Sequence, residues 1–314
     1  MKFTAITAAL CAAAIAVPAV AQETSQPSTG ERILGSILQR VLGVEQPDAD
    51  DEQDGVVLET SATASPDLAT VLADPRREGD RARDNWRNPA ETLEFFQVRP
   101  GMTVADYMPA SGWYARILVP YLGSNGRYLG LTPDPAAADG ERFANYFEGL
   151  PGNFRENVGD WNLGGAPYGV VSSDQLSDAT DGTVDRVLIF REMHNLLRSG
   201  VMYTELTRMR DLLKPDGMLG IVQHRARADA PADYTLGSNG YLRQEDVVAL
   251  VEAHGFQLVS TSEVNANPND TADHDGGVWT RAPSYRGAEE GSEERARRAA
   301  IGESDRMTLL FRKR

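Results

Sequence analysis

Two hydrophobic periods alternate along the chain from about residue 100 to the C-terminus. Short apolar runs typical of buried strands alternate with segments in which apolar residues recur every three or four positions, as on one face of a helix. Strands alternating with helices predict right-handed crossovers and a parallel sheet covered on both faces. The predicted strands lie at 102–106, 127–131, 170–174, 184–190, 218–222, 256–260 and 307–311, and the predicted helices at 65–73, 89–96, 112–122, 136–147, 201–213 and 244–253.

The last two predicted strands are separated by about 45 residues of polar sequence without a helical pattern. We therefore expect this pair to be antiparallel, because a parallel pair is usually joined through a helix. Long loops in compact domains are often functional. We expect substrate specificity to reside in residues 265–304.

The N-terminal residues 1–21 have the layout of a secretory signal peptide, with Lys2, an apolar core and a cleavage site at Ala19-Val20-Ala21. This pattern predicts a mature chain that begins at Gln22 and lies in the periplasm or outside the cell. No later run approaches the roughly 20 apolar residues that a transmembrane helix needs. The one cysteine, Cys11, lies within the predicted signal, so we expect core burial alone to stabilise the mature chain.

Residues 22–64 form an acidic, low-complexity linker that precedes one domain at 65–314. Within the linker, apolar residues at helical spacing predict a short amphipathic helix at 33–42. This helix could dock on its own domain or on a partner, or lie on a membrane surface, although it has few cationic residues.

The net charge is negative, with 31 Lys and Arg against 46 Asp and Glu, or −15 at neutral pH. A protein of this sign repels phosphate backbones and anionic lipids, so we expect a small-molecule ligand and no nucleic acid. A charge-dense segment at 76–87 contains Asp80-Arg-Ala-Arg-Asp84. It could be a solvated helix face or a lid over the site.

Three stretches carry a resemblance to a known family: Val98-Arg-Pro-Gly-Met-Thr-Val-Ala-Asp106, Val184-Asp-Arg-Val-Leu-Ile-Phe190 and Leu212-Leu-Lys-Pro-Asp-Gly-Met-Leu-Gly-Ile-Val222. In their order they resemble the class I S-adenosylmethionine-dependent methyltransferases, over about 65–314. More narrowly, the charge-dense segment and the exported N-terminus are similar to a group of exported bacterial predicted methyltransferases. The resemblance implies an α/β, Rossmann-like three-layer sandwich with a mostly parallel seven-stranded sheet whose last strand is antiparallel. It also implies methyl transfer from S-adenosylmethionine to a small molecule or peptide.

The resemblance also implies where the cofactor binds, at the carboxyl ends of the first three strands. The family's D-x-G-x-G-x-G motif falls on Asp106 to Gly112, but Met108 and Ala110 replace two glycines and Pro109 removes an N–H donor. We expect the Met108 side chain to project into the space of the cofactor's methionine moiety. The implied cofactor residues are Asp106, Ala110, Gly112, Thr132 in place of the usual ribose-binding acid, Asp134 two residues later, and Asp174 near the adenine.

The catalytic candidates are His194 and His224, which directly follow the fourth and fifth strands. At such strand ends we expect them to face the ligand, with His194 as a general base or substrate-orienting donor. The alternative is that each caps a strand-end loop. His254, at a helix end, has an ordinary structural explanation.

The substrate-binding candidates are Tyr114, Arg191 and Arg225. The arginines, with Arg227, could bind a carboxylate or phosphate in a fork geometry or pair with local acids. Tyr114 could stack on a ligand or pack its helix. We predict no metal site, because the adjacent residues Asp273, His274 and Asp275 rarely converge on one ion without further ligands. Two rivals to an enzyme remain: a non-catalytic ligand-binding protein in the cell envelope, and a structural partner that docks through 33–42.

Overall fold

The computed structural model describes residues 66–158, 161 and 163–314, together with residue 35 and residues 38–42. The signal peptide and most of the linker therefore lie outside the described residues. The strands are β1 Thr103–Tyr107, β2 Arg127–Thr132, β3 Tyr168–Ser172, β4 Val184–Phe190, β5 Leu213–His224, β6 Phe256–Ser262 and β7 Arg306–Lys313. The α-helices are α1 Leu68–Leu72, α2 Glu78–Arg81, α3 Asp84–Arg87, α4 Pro89–Phe95, α5 Ala115–Leu122, α6 Glu141–Val158, α7 Met193–Arg198, α8 Met202–Leu212, α9 Gln244–Ala253 and α10 Glu293–Ile301.

One sheet contains all seven of these strands, in the order β3-β2-β1-β4-β5-β7-β6. The first five pair in parallel, while β7 is antiparallel to both β5 and β6. The predicted fold class is confirmed, and so is the antiparallel final pair. The strand order reverses between β1 and β4, which is where ligands bind in open sheets of this kind.

Apolar side chains cover both faces of the sheet. One buried cluster packs α7, α8 and α9 against one face, and the other packs α4 and α5 against the opposite face. Every residue of β1 is buried, as expected of a central strand in a three-layer fold. The functional edge therefore consists of the loops that leave the carboxyl ends of the parallel strands.

Three details differ from the sequence-based expectations. Helix α10 lies in the segment that lacked a helical pattern, and it has no buried residue. The first helix is capped by the Asp67 side chain, which accepts from the Thr70 amide, and begins later than predicted. Helix α6 begins at Glu141, because Asp134 caps a separate turn at Pro135–Ala137.

Part of the predicted amphipathic segment docks on its own domain. A helical turn at Leu38–Leu42 packs beside β2 and β3, and Val41 and Leu42 are buried in the cluster that contains α8. This is one of the alternatives left open for the segment, whose other residues, apart from residue 35, lie outside the described part. Within that part, no helix is long and apolar enough to cross a membrane.

Candidate active site

The loop that follows β1 has an unusual backbone conformation. Three of its residues have left-handed φ angles: Met108 at 50°, Ala110 at 50° and Gly112 at 72°. These are the three glycine positions of the family motif, and two of them carry side chains here. L-residues rarely adopt this conformation, which costs roughly 1–2 kcal/mol at a non-glycine residue. The loop therefore holds the backbone shape expected of a glycine loop without two of its glycines.

The Met108 side chain packs inwards from this loop. It is 6% exposed and belongs to the buried apolar cluster that also contains Leu131 and Val171. Its projection into the space of the cofactor's methionine moiety stays a prediction. Ala110 and Ser111 are exposed, so the outer surface of the loop is accessible to a ligand.

Asp106 lies one residue before the end of β1 and carries a buried carboxyl group. Its Oδ2 accepts a hydrogen bond from the Tyr128 hydroxyl at 2.9 Å. Burial raises the pKa of Asp106 to about 7, against the lowering effects of this hydrogen bond and of the charge of Arg191. The carboxyl group is thus poised to change protonation near neutral pH.

The ends of β2 and β3 carry the remaining cofactor candidates. Thr132 is buried and donates to the Val171 carbonyl, whereas the half-buried Asp134 caps its turn by accepting from the Ala136 amide at 2.7 Å. Asp174 is exposed and accepts from the Ser172 hydroxyl. Asp134 and Asp174 thus keep accessible carboxylate oxygens at neighbouring strand ends, and Thr132 does not present its hydroxyl to a ligand.

The two catalytic candidates lie side by side. The ring centroids of His194 and His224 are 5.7 Å apart, and Trp279 lies 5.9 Å from His194. Burial lowers the pKa of His194 to about 4, and burial together with the charge of His194 holds the pKa of His224 well below its ordinary value. Both imidazoles are therefore neutral at pH 7. His224 Nδ1 lies within hydrogen-bond distance of the Ser304 hydroxyl.

The three substrate-binding candidates have different environments. Tyr114 is buried and stacks on Phe190, with centroids 3.5 Å apart, so protein covers one face of its ring. Arg225 is held by the carboxylates of Glu263 and Asp305 at 2.7 and 2.8 Å. Arg191, at the end of β4, is half-buried and makes no side-chain hydrogen bond or ion pair with a described residue. Of the three, Arg191 alone is left available to an anion.

The sequence did not predict that arginines gather around Glu303, although Arg83 and Arg87 belong to the charge-dense segment. Arg87 ends α3, Arg306 begins β7, and the buried Glu303 lies between them in contact with Arg83. We call Arg83, Arg87, Arg191 and Arg306 the arginine cluster. Three of these arginines come from segments that carry no apolar pattern pointing to a site, and their convergence depends on tertiary packing.

One side of the charge-dense segment packs against the chain that follows the loop after β1, and the other side faces solvent. The Asp80 carboxylate binds the Arg116 guanidinium, with Nη2 to Oδ1 at 2.7 Å, and the Trp113 indole donates to the Asp80 carbonyl. Trp113 directly follows Gly112, so this side of the segment lies beside the motif loop.

The other histidines have structural partners. His254 Nδ1 lies 2.6 Å from the Leu250 carbonyl at the end of α9, and His274 Nε2 lies 2.6 Å from the buried Asp270 carboxylate. Among the described residues, no group of three or more His, Cys, Asp and Glu side chains could hold a metal ion.

The residues at this edge fit an adenosine-bearing cofactor in two respects. The left-handed loop presents accessible backbone at Ala110 and Ser111, and the carboxylates of Asp134 and Asp174 can accept hydrogen bonds from hydroxyl or amino groups. One contact reduces the space: the Trp161 ring lies against Gly112. The fit therefore depends on the outer surface of the loop.

Comparisons of the sequence with known proteins give a match to a short part of the chain. No protein-family model matches the chain. The ribosomal RNA small subunit methyltransferase H of Geobacter sulfurreducens is 34% identical over 73 residues, which cover 22% of this chain and 24% of that protein. The match thus spans about a quarter of the relative's length.

Solved structures give a wider match at low identity. The cyclase SpnF has a TM-score of 0.50 and 15% identity, covering 77% of this chain and 85% of SpnF. A methyltransferase from Aquifex aeolicus, described as S-adenosylmethionine-dependent, has a TM-score of 0.43 and 20% identity, covering 63% and 93% of the two chains. The strand order and the likeness to SpnF lead to the same conclusion about the fold. The chain has the class I methyltransferase fold. Because SpnF is a cyclase, the shared fold alone does not fix the reaction.

Proposed function

We propose that the protein transfers a methyl group from S-adenosylmethionine to a small-molecule or peptide acceptor. The observation that carries the proposal is the left-handed backbone at Met108 and Ala110. Unfavourable backbone conformations persist where surrounding structure enforces them, and they concentrate at ligand sites. A loop that had lost its ligand would be free to relax, so its retained shape supports a retained ligand.

In this proposal the cofactor lies along the ends of β1, β2 and β3. The exposed backbone of Ala110 and Ser111 approaches the cofactor, and the Asp134 and Asp174 carboxylates accept hydrogen bonds from its ribose and adenine groups. When bound, S-adenosylmethionine supplies an electrophilic methyl group on a sulfonium. The buried Asp106 holds the loop through Tyr128 and offers negative charge near the cofactor as the pH rises past about 7.

The acceptor would lie on the other side of β1, towards β4 and β5. There, His194 and His224 are neutral at pH 7, so a ring nitrogen of each can accept a hydrogen bond. Gln223 Nε2 lies 3.5 Å from His194 Nδ1 and helps to orient that ring. Rate enhancement would come chiefly from alignment and exclusion of water, with His194 assisting deprotonation of a weakly nucleophilic acceptor.

Thermal unfolding of the purified protein with and without S-adenosylhomocysteine tests the proposal. At about 100 times the dissociation constant, a ligand that binds only the folded state stabilises it by about 2.7 kcal/mol, which raises the midpoint clearly. We expect this rise with S-adenosylhomocysteine and a smaller rise with adenosine. We also expect Asp174→Asn to show a smaller rise with S-adenosylhomocysteine. Because the Asp174 side chain is exposed, this substitution leaves the core intact. The absence of any shift at millimolar ligand would remove the cofactor from the proposal.

One observation favours a second candidate, a non-catalytic binding protein. The Trp161 ring lies against Gly112 and narrows the space beside the motif loop. If S-adenosylhomocysteine gives no shift while another small molecule does, this second candidate replaces the methyltransferase.

We also propose that the protein acts outside the cytosol, since residues 1–21 have the sequence pattern of a signal peptide. N-terminal sequencing of the protein from the envelope fraction of its host should give Gln22 as the first residue. An intact Met1 on protein in the cytosolic fraction would contradict this.

A further inference from the structure

The arginine cluster brings more positive charge together than its acids balance. Glu303 is the one carboxylate that pairs with it among the described residues: its Oε1 lies 2.6 Å from Arg83 Nε and 3.6 Å from Arg87 Nε, and its Oε2 lies 3.2 Å from Arg306 Nη1. The rest of the protein has a net negative charge. A local cationic excess in an acidic protein requires an explanation.

The nearest other carboxyl groups are weak counter-ions. Asp106 and Glu192 both lie within electrostatic range of Arg191, but burial raises the pKa of each to about 7. Glu303 differs: although burial alone would raise its pKa, the charges of Arg306 and Arg87 lower it to about 2. One firmly ionised carboxylate therefore pairs with three of the four arginines, and Arg191 has no ion pair with a described residue.

Arg87 is a buried cation without a hydrogen-bond partner among the described residues. It is 2% exposed, its Nε makes no hydrogen bond and only the long ion pair with Glu303, and its other side-chain nitrogens donate to no residue that the structure describes. Its guanidinium carbon lies 4.5 Å from the centroid of the Trp113 ring, which orients it without using its N–H groups. Arg306 is as deeply buried but donates to the carbonyls of Ser304 and Trp86. Burial without such partners is costly, so Arg87 is the unusual member of the pair.

Arg191 is the second arginine with unused donors. Its φ is 68°, a left-handed angle that is unfavourable for arginine, and its amide N–H is fixed by the Val222 carbonyl at 2.6 Å. The backbone is thus held by the neighbouring strand β5, while the half-buried side chain has no partner among the described residues. Val222 pairs with Thr308 of β7, two residues from Arg306, so Arg191 lies at the same end of the sheet as the rest of the arginine cluster.

We propose that Arg87 and Arg191 form a binding site for an oxyanion, a carboxylate or phosphate group, carried by the methyl acceptor. An oxyanion placed between them would accept hydrogen bonds from guanidinium N–H groups that have no acceptor in the part of the chain that the structure describes, and its charge would offset the local excess. The substrate would therefore be an acidic small molecule or an acidic group of a peptide. The identification of the ligand as the methyl acceptor rests on the proposed function. The anion site itself does not depend on that function.

The position of the two arginines separates this site from the cofactor's nucleoside. Arg191 follows β4, and the cluster reaches the start of β7 through Arg306, which pairs with His224 of β5 in the sheet. Asp134 and Asp174 follow β2 and β3, on the opposite side of β1. The oxyanion therefore lies beside the two imidazoles, where the acceptor belongs, and away from the residues assigned to ribose and adenine.

The test uses inorganic phosphate as the probe and thermal unfolding of the whole protein as the readout. Arg87→Met and Arg191→Met remove the proposed donors, and Arg297→Met is the matched control, because Arg297 is an exposed arginine paired with Glu294 on α10. Phosphate at about ten times its dissociation constant should raise the unfolding midpoint of the unaltered protein by about 3–5 °C. We expect Arg297→Met to keep this rise and both cluster variants to lose it.

A second measurement separates a binding role from a structural one. Without phosphate, Arg87→Met should lower the unfolding midpoint only slightly, because Glu303 keeps its closer partners Arg83 and Arg306. A large fall in its midpoint would assign Arg87 to the fold and overturn the site. Phosphate-dependent rises that persist in both cluster variants, or that are absent from the unaltered protein, would also overturn it.

Repeating the phosphate titration with saturating S-adenosylhomocysteine identifies the source of the oxyanion. A phosphate effect that persists supports an acceptor site beside the cofactor. If S-adenosylhomocysteine abolishes it, the arginines hold the cofactor's own carboxylate and the acceptor assignment is wrong. The protein could respond to phosphate through both arginines but show no response to S-adenosylhomocysteine. That result would support the anion site, contradict the proposed function and remove the description of the ligand as a methyl acceptor.

Discussion

The indole of Trp161 occupies the space into which any side chain at Gly112 would extend. A Cβ atom on Gly112 would overlap the Cη2, Cζ3 and Cζ2 atoms of the ring. The ring is fixed from two other directions, by Phe154 at an edge-to-face distance of 6.2 Å and by the Arg116 guanidinium 4.5 Å from its centroid. The last glycine of the motif loop is thus needed for packing as well as for its backbone angle.

Replacing this glycine should be costly for two reasons that can be separated. Gly112→Ala combines an unfavourable left-handed φ with displacement of Trp161, and we expect a loss of about 2–4 kcal/mol in the free energy of unfolding. Gly101 also has a left-handed φ, 82°, but no atom lies near its Cβ position. Gly101→Ala should therefore cost only about 1 kcal/mol. Denaturant unfolding measures both, and equal losses would contradict the packing role of Trp161.

Strain in the motif loop should be relieved by restoring a glycine. Ala110 is exposed, so Ala110→Gly removes no packing, and we expect a gain of about 0.5 kcal/mol after the greater chain entropy of glycine is subtracted. Ala136 is an exposed alanine without a left-handed φ, and Ala136→Gly should lose about 0.5–1 kcal/mol. If both substitutions destabilise equally in chemical denaturation, the loop is not strained at Ala110.

The buried Glu205 carboxyl should make stability depend on pH. Burial raises its pKa to about 7, although Oε1 accepts from the Asp134 amide and the Ser173 hydroxyl at 3.0 and 2.7 Å. Between its ordinary pKa and about 7 the unfolded chain ionises while the folded protein keeps the proton, so stability falls as pH rises through this window. Glu205→Gln keeps the acceptor oxygen and should gain of order 2 kcal/mol at pH 8 relative to pH 4.5.

Unfolding of both proteins at several pH values checks this expectation. The difference between Glu205→Gln and the unaltered protein should grow from about pH 4.5 to pH 8. A difference that is constant, or that grows towards acid pH, would mean that Glu205 is ionised in the folded protein throughout the range.

Arg225 should contribute to stability and not to ligand binding. It joins the end of β5 to Glu263 after β6 and to Asp305 before β7, with several short charged hydrogen bonds. We expect Arg225→Met to lose about 1–3 kcal/mol of unfolding free energy and to keep the midpoint rise with S-adenosylhomocysteine. A variant of normal stability that no longer responds to ligand would restore the substrate-binding role predicted from the sequence.

The order of the elements was predictable because buried strands and amphipathic helices each have a characteristic spacing of apolar residues in the sequence. Val184–Phe190 is apolar except for Asp185 and Arg186, and the observed β4 has those bounds. Helix α10 was missed for the corresponding reason: its Glu-Glu-Arg-Ala-Arg-Arg-Ala-Ala-Ile sequence buries no residue and so has no apolar stripe to detect. The buried strand β4 was therefore predicted from its apolar residues, and the exposed helix α10 was not.

The site was predictable only along the sheet edge. His194 follows β4 and His224 ends β5, and these two strands are adjacent and parallel. The pairing of the strands therefore brings the two imidazole rings within 5.7 Å of each other. Arg87 precedes β1 and could not be placed from the pattern, because its position depends on the contact with Trp113 and on Glu303, more than 200 residues later in the chain. The direction of the Met108 side chain depended on a backbone angle that its residue type disfavours.

Hydrogen exchange of the backbone amides with and without S-adenosylhomocysteine tests the central claim most directly, since it reports which segments the ligand contacts. The claim is that the strained loop after β1 is a ligand-binding loop. We predict slower exchange in peptides covering 106–114 and 132–136 when the ligand is present, and unchanged exchange in α10. Unchanged exchange across 106–114 at saturating ligand, or slowing confined to other segments, would contradict it.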